Sequence, residues 1–101
     1  MYFYVIHGPR RVGFGITKNP EGREKDYTGA WGYEAQFSAL WHGNRRMVTT
    51  LEDTIKIMHR DRLWHIDFWY TEWFEDLTLE QAISFVEDII QRTHLDLART
   101  R

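Results

Sequence analysis

Two pairs of neighbouring arginines could bind phosphate groups, because each pair falls in a predicted turn or loop. Arg10 and Arg11 follow the turn signal Gly8-Pro9, and Arg45 and Arg46 lie in a polar stretch between two apolar ones. Arginine and lysine contact phosphate oxygens without reading base sequence. The same side chains could equally be ordinary solvated charges. The candidate nucleic-acid-binding residues are Arg10, Arg11, Lys18, Arg45 and Arg46.

Two further pairs of side chains have a spacing at which they could act together. Arg23 and Tyr27 are four residues apart in a predicted helix, so they share one of its faces. Arg23 could be a surface ion-pair partner or could bind an anionic group. His65 and Asp67 are two apart in a predicted strand and could hold a metal ion on one face. A single His and Asp pair is a weak metal signal.

A predicted hairpin followed by a helix must position Arg10, Arg11 and the pair of Arg23 and Tyr27. Tyr2 to His7 is aromatic and β-branched, and Val12 to Thr17 contains two glycines, which indicates a bulge or a close backbone approach. Asn19 before Pro20 has the form of an N-cap with proline at the first helical position. We therefore expect a helix from Pro20 to about Tyr27 and a loop from Thr28 to Gly32.

The rest of the chain alternates strands and helices. Ala35 to Trp41 and Trp64 to Tyr70 alternate with the period of a strand, and His42 to Arg46 reads as a loop. A helix is expected to begin at Thr49 or Thr50. Thr49 with Glu52 has the form of a capping box, whereas a cap at Thr50 would leave the Glu52 carboxylate available for other contacts. Thr78 to about Arg92 is an amphipathic helix with a second capping box, and the tail from Thr93 is expected to fray.

Composition and these elements predict one α+β domain over residues 1–101, with a small three- or four-stranded, mainly antiparallel sheet and flanking helices. The 43% hydrophobic and 16% aromatic fractions argue against disorder. The lack of cysteine excludes disulfides, thiolate zinc sites and a cysteine nucleophile. With no secretory signal or long apolar run, we expect a cytoplasmic protein without a membrane partner.

The net charge of −2 is unevenly distributed. Residues 1–66 hold ten Lys and Arg against seven Asp and Glu, and residues 67–101 hold three against eight. Overall charge does not suggest a general nucleic-acid binder, but contacts to a few phosphates need only a local basic patch. The acidic second half predicts that nucleic acid would approach from the hairpin side.

The order of these parts resembles the GIY-YIG nuclease superfamily. Tyr2 to Ile6 is similar to the G-I-Y-x-I motif, and Gly13 to Thr17 is similar to the second motif with its tail. Arg23 has the spacing of the family arginine, and Leu51 to Ile55 looks like the helical segment that carries the family glutamate. Thr71 to Phe74 resembles the G-E-W-F ending of a subgroup common in phage and mobile-element proteins. The likeness covers roughly residues 2 to 90.

The resemblance implies a small metal-dependent endonuclease that hydrolyses DNA phosphodiester bonds by nicking or cleaving, in the host cytoplasm if phage-encoded. Glu52 would hold one Mg²⁺ or Mn²⁺, Tyr4 would act on the attacking water, and Arg23 would stabilise charge on the phosphoryl oxygens. Tyr27 is a weaker catalytic candidate, at a place where some relatives have histidine. DNA is the expected partner, RNA stays open, and a homodimer is plausible from the aromatic surface.

Departures from the family pattern leave two other readings open. Gly13 replaces a tyrosine that many relatives use, and no asparagine follows Glu52. One alternative is a catalytically silent GIY-YIG-like module that binds nucleic acid or protein, and the other is an unrelated α+β interaction protein. A nuclease requires Tyr4, Arg23 and Glu52 to converge on one concave face.

Overall fold

A computed structural model describes residues 1–8, 11–31, 36–58, 63–66, 71–74 and 78–101 of the chain. Its elements, in chain order, are β1 (Tyr2–Gly8), β2 (Arg11–Thr17), α1 (Pro20–Trp31), β3 (Phe37–His42), α2 (Arg45–Met58), β4 (Leu63–Ile66), β5 (Thr71–Phe74), α3 (Leu79–Thr93) and β6 (Ala98–Arg99).

The strands form one antiparallel sheet in the order β4-β5-β2-β1-β3-β6. Strand β1 pairs along its whole length with β2. On its other side it pairs with β3 from Tyr2 to Ile6, with one register shift after Val5. The expected α+β class and antiparallel sheet are confirmed. Within the described residues the sheet has more strands than the three or four expected, because β5 joins β2 and the two-residue β6 joins β3.

Alternation along β1 separates the core into two layers, since successive side chains of a strand point to opposite faces. Phe3 and Val5 belong to a buried cluster that also contains residues of α2 and α3. Tyr4 and Ile6 belong to a second cluster, which contains Tyr27 of α1. The sheet therefore lies between α1 on one face and the α2 and α3 pair on the other.

Helix α1 is longer than expected. It continues through Trp31, where a loop from Thr28 was predicted. The Thr28 hydroxyl donates to the Glu24 carbonyl one turn earlier, and Tyr27 is fully buried against the sheet. Tertiary burial of Tyr27 thus outweighs the poor helix propensity of the Thr28-Gly29 step.

Helix α2 begins earlier than expected, at Arg45 instead of Thr49 or Thr50. Its cap is Asn44, whose Oδ1 accepts from the Met47 amide at 2.9 Å. The predicted capping box at Thr49 is therefore wrong, because Thr49 lies inside the helix. Arg45 and Arg46 also belong to the helix, where a loop through Arg46 was predicted.

The other predicted elements hold with shifted boundaries. Strand β3 ends at His42, one residue beyond the prediction, and Ala35 lies outside the described residues. Of the predicted strand from Trp64 to Tyr70, β4 accounts for the part up to Ile66, and residues 67–70 lie outside the described part. The capping box of α3 is confirmed, with reciprocal bonds between Thr78 and Gln81.

The chain after Thr93, where fraying was expected, makes contacts with the rest of the domain. His94 ends α3 with a positive φ of 54°, and the Leu95 amide donates to the Ile90 carbonyl at 3.2 Å. Leu95 and Leu97 then pack against the larger core cluster, and Ala98–Arg99 forms β6. The two partly buried leucines are therefore the apolar contacts of this polar stretch with the core. None of the helices in the described ranges is long and apolar enough to cross a membrane.

Candidate functional site

Tyr4 and Tyr27 form a buried pair on the α1 face of the sheet. Their hydroxyl oxygens lie 3.0 Å apart, and the two side chains are 1% and 0% exposed. The Tyr4 ring also stacks on Phe37, with ring centroids 4.4 Å apart. Two of the residues assigned by resemblance are thus brought together, but the Tyr4 hydroxyl is enclosed by protein, as a structural hydrogen bond would be.

Gly15 makes room for Tyr4. The two residues are directly opposed in the β1–β2 ladder. A Cβ on Gly15 would lie 2.7 Å from Tyr4 Cζ and still closer to the hydroxyl oxygen. The Tyr4 ring therefore lies across the glycine backbone, which is the close approach that two glycines in a strand indicate.

Arg23 lies one helical turn before Tyr27 and is partly exposed. Its amide donates to the Asn19 carbonyl at the start of α1. Within the described part of the chain, its guanidinium has no hydrogen bond or ion pair. Such a cation on the first helical turn can accept an incoming anion without first breaking an internal bond.

Glu52 is on the other side of the molecule. It follows Leu51 on α2, and Leu51 packs against the face of the sheet opposite to Tyr4. Its side chain is 14% exposed, and its Oε1 lies 3.5 Å from Lys56 Nζ. The sheet separates the carboxylate from the tyrosine pair.

The donor set in the described ranges does not fit a divalent cation held near Tyr4. Glu52 is paired with an ammonium group, and no group of three His, Cys, Asp or Glu side chains there could hold a metal ion. A Mg²⁺ site needs at least one or two carboxylates facing the reacting phosphate. Asp67 and the side chain of His65, the other metal candidates, lie outside the described residues.

Four basic residues lie at the end of the sheet where β2 and β3 finish, although the two helices that carry three of them cover opposite faces. Thr17 and His42, the last residues of these strands, both pair with Tyr2, so the strands end side by side about 10 Å apart. Helices α1 and α2 start within three residues of these ends. We call this surface the basic end, and its residues are Lys18, Arg23, Arg45 and Arg46.

The basic end is electrostatically suited to anions. Lys18, Arg45 and Arg46 are exposed. Helices α1 and α2 both begin here, and helix N-termini carry partial positive charge from the aligned peptide dipoles. Glu21 and Asp96 are exposed acids at the same end and offset part of this charge. The remaining surplus forms a local positive patch in a chain of net charge −2.

Arg11 is at the opposite end of the sheet from the basic end. Arg11 pairs with Gly8 at the far end of the ladder, six residues along the strand from Thr17, or about 20 Å. Arg10 and the side chain of Arg11 lie outside the described residues. Of the five predicted nucleic-acid-binding residues, Lys18, Arg45 and Arg46 have described side chains, and these three lie at the basic end.

Sequence reasoning missed the contact between Tyr4 and Tyr27 and the clustering of Lys18 with Arg45 and Arg46. The first depends on how α1 lies over the sheet, which no local pattern records. The second depends on β3 pairing with β1. A usable signal existed in the Asn44 cap, because it starts α2 close to the end of β3.

The tyrosine pair should be energetically coupled. In a double-mutant cycle of Tyr4→Phe and Tyr27→Phe, we expect a coupling energy of about 1 kcal/mol, the net value of one buried hydrogen bond. Urea unfolding of the four proteins measures it. Tyr4→Phe combined with Thr54→Ala, on the other layer, should be additive. Zero coupling between the tyrosines would show that their hydroxyls do not bond.

Comparisons of this chain with protein families, with curated proteins and with solved structures give no match.

Proposed function

We propose that this chain is a GIY-YIG-like domain that binds DNA through phosphate contacts at its basic end and does not cleave it. The clustering of Lys18, Arg23, Arg45 and Arg46 at the start of two helices carries the proposal. The β1–β2 hairpin followed by a helix bearing Arg23 is the arrangement that the family resemblance implies.

Phosphate binding follows from the chemistry of this surface. Cations and helix N-termini contact phosphate oxygens and position a protein on nucleic acid without base readout. Four contacts would give modest, salt-sensitive affinity, because binding is driven largely by release of counterions from DNA. The outer face of α3 is a poorer surface for DNA, because Glu80 is exposed there and the two other acids, Glu87 and Asp88, are already paired with Arg99 and Arg92.

The enclosed Tyr4 hydroxyl and the position of Glu52 favour binding over cleavage. A general base must reach the attacking water, either directly or through one further water. Tyr4 is 1% exposed and bonds to Tyr27, and Glu52 lies on the helix that covers the opposite face. Tyr4 and Tyr27 then serve to fix α1 on the sheet.

A metal-dependent endonuclease is the second candidate. It is favoured by one observation, the meeting of Tyr4 and Tyr27 with Arg23 one turn away on the same helix. In that case Glu52 would supply the carboxylate for one Mg²⁺ or Mn²⁺, and Arg23 would stabilise charge on the phosphoryl oxygens. This requires a rearrangement that brings the Glu52 carboxylate to the face of the sheet that Tyr4 and Tyr27 occupy.

Two assays on the same preparation test the proposal. Fluorescence anisotropy with a short DNA duplex at increasing NaCl should give a plot of log affinity against log salt with a slope of about −3 to −4, as expected for four phosphate contacts. Supercoiled plasmid incubated with Mg²⁺ or Mn²⁺ should remain intact.

The outcomes separate the candidates. Absence of duplex binding even at low salt would overturn the proposal. Metal-dependent nicking that is abolished by EDTA, and lost in folded Glu52→Ala and Arg23→Ala variants, would establish the endonuclease instead.

A further inference from the structure

The last seven residues connect the two layers of the molecule. We call Leu95 to Arg101 the strap. It leaves α3, packs Leu97 over Gly43, and pairs with β3 through β6 and through the Thr100 amide, which donates to the Leu40 carbonyl at 2.8 Å. The strap thus runs along the β3 side of the sheet, between the layer of α3 and the layer of α1.

Two arginines of the strap pair with glutamates on opposite layers. Arg99 Nη1 lies 2.8 Å from Glu87 Oε1 on α3, and the Arg99 guanidinium lies over the ring of Trp41 at 5.7 Å. Arg101 Nη1 pairs with Glu24 Oε1 on α1 and also approaches the Phe37 carbonyl at 3.5 Å. One short segment therefore ties α3 to α1.

Helix α1 buries fewer described side chains than α2 or α3. Among its described side chains, Tyr27 is the one that is fully buried. By contrast, α2 and α3 each bury three core residues: Val48, Leu51 and Ile55 in α2, and Ala82, Val86 and Ile89 in α3. Because helix stability in proteins comes mainly from packing of an apolar face, the described part of α1, residues 20–29, has a weaker apolar anchor than α2 or α3.

We propose that Arg101 and Glu24 are positioning residues, which hold α1 on the sheet and thereby fix Arg23 at the basic end. The consequence for DNA rests on the proposed function, whereas the effect on α1 does not. Glu24 is next to Arg23 in the same helix, so loss of the tie lets the first turns of α1 open and moves Arg23 away from its place at the basic end.

Hydrogen exchange measured by mass spectrometry tests the tie directly. Arg101→Ala and Glu24→Gln should each speed exchange of the α1 amides by about two- to five-fold, the range for loss of one exposed ion pair. Arg92→Ala is the matched control, because Arg92 pairs with Asp88 within α3 and does not connect the layers. The control should leave α1 exchange unchanged.

Affinity for duplex DNA separates a positioning role of Glu24 from a simple charge effect, because the two predict opposite changes in the Glu24→Gln variant. Glu24→Gln makes the net charge more positive, so electrostatics alone would strengthen DNA binding. If Glu24 positions Arg23, affinity should instead fall by about two- to five-fold, and the exchanged pair Glu24→Arg with Arg101→Glu should recover both affinity and slow α1 exchange.

Different results would overturn the positioning role of the strap and the proposed DNA binding. Unchanged α1 exchange in both Arg101→Ala and Glu24→Gln would overturn the positioning role. Faster α1 exchange in a protein whose wild type binds no duplex would uphold the strap as the anchor of α1 and overturn the proposed function alone. Stronger duplex binding by Glu24→Gln would overturn the link between the strap and Arg23.

Discussion

Replacing Gly15 by alanine should lower the free energy of unfolding by about 2 to 3 kcal/mol. The new Cβ would lie 2.7 Å from Tyr4 Cζ, well inside van der Waals contact. The Tyr4 ring cannot move away easily, because it stacks on Phe37 and its hydroxyl bonds to Tyr27. For a chain of 101 residues, a change of this size should lower Tm by about 10 to 20 °C.

Gly29 provides the matched control for this substitution. It lies in α1, and a Cβ there would have no neighbouring atom within 4 Å. Gly29→Ala should therefore stabilise the protein by up to about 1 kcal/mol through helix propensity. Equal Tm values for Gly15→Ala and wild type would show that Tyr4 does not lie across Gly15.

The elements with a clear period were predictable from sequence, because local pattern and tertiary environment agree there. The hairpin, β3 and α3 follow from alternation, turn residues and a capping box. The start of α2 was mispredicted at Thr49 or Thr50, whereas the residue that caps the helix is Asn44. Asn44 makes the bond, and the capping-box pattern at Thr49 occurs by chance inside the helix.

The site was less predictable because its groups meet through long-range pairing. Arg23 and Tyr27 share a helix face, which spacing alone predicts. Whether Glu52 reaches them depends on which face of the sheet α2 covers, and an apolar stripe fits either face equally well. The observed division, with Tyr4 facing α1 and Phe3 facing α2, is set by the connections between elements.

The path of the strap also depends on tertiary contacts. Two leucines spaced by one residue are too short a signal to predict an element, so polar neighbours suggested fraying. Leu97 finds a contact over Gly43, where a side chain at position 43 would collide with it. The local sequence carries no clear secondary-structure pattern, so contacts with distant residues determine the path of this segment.

The largest functional effect should come from the arginines at the start of α2. Replacing Arg45 and Arg46 together by glutamine should weaken binding to duplex DNA by about 50-fold at 0.1 M salt and make the salt slope shallower by about 2, since two phosphate contacts are lost. Both side chains are exposed, so the free energy of unfolding should change little.

Arg10 and Arg11 provide a control that removes the same charge from the segment joining β1 to β2. Arg10→Gln with Arg11→Gln lowers the net charge by the same two units, but Arg11 is six residues along the strand from the basic end. If binding depends on the basic end, this pair should change affinity by less than about three-fold through long-range electrostatics. An equal loss in both pairs would mean that only net charge matters, and a larger loss in the hairpin pair would place the DNA at the β1–β2 turn.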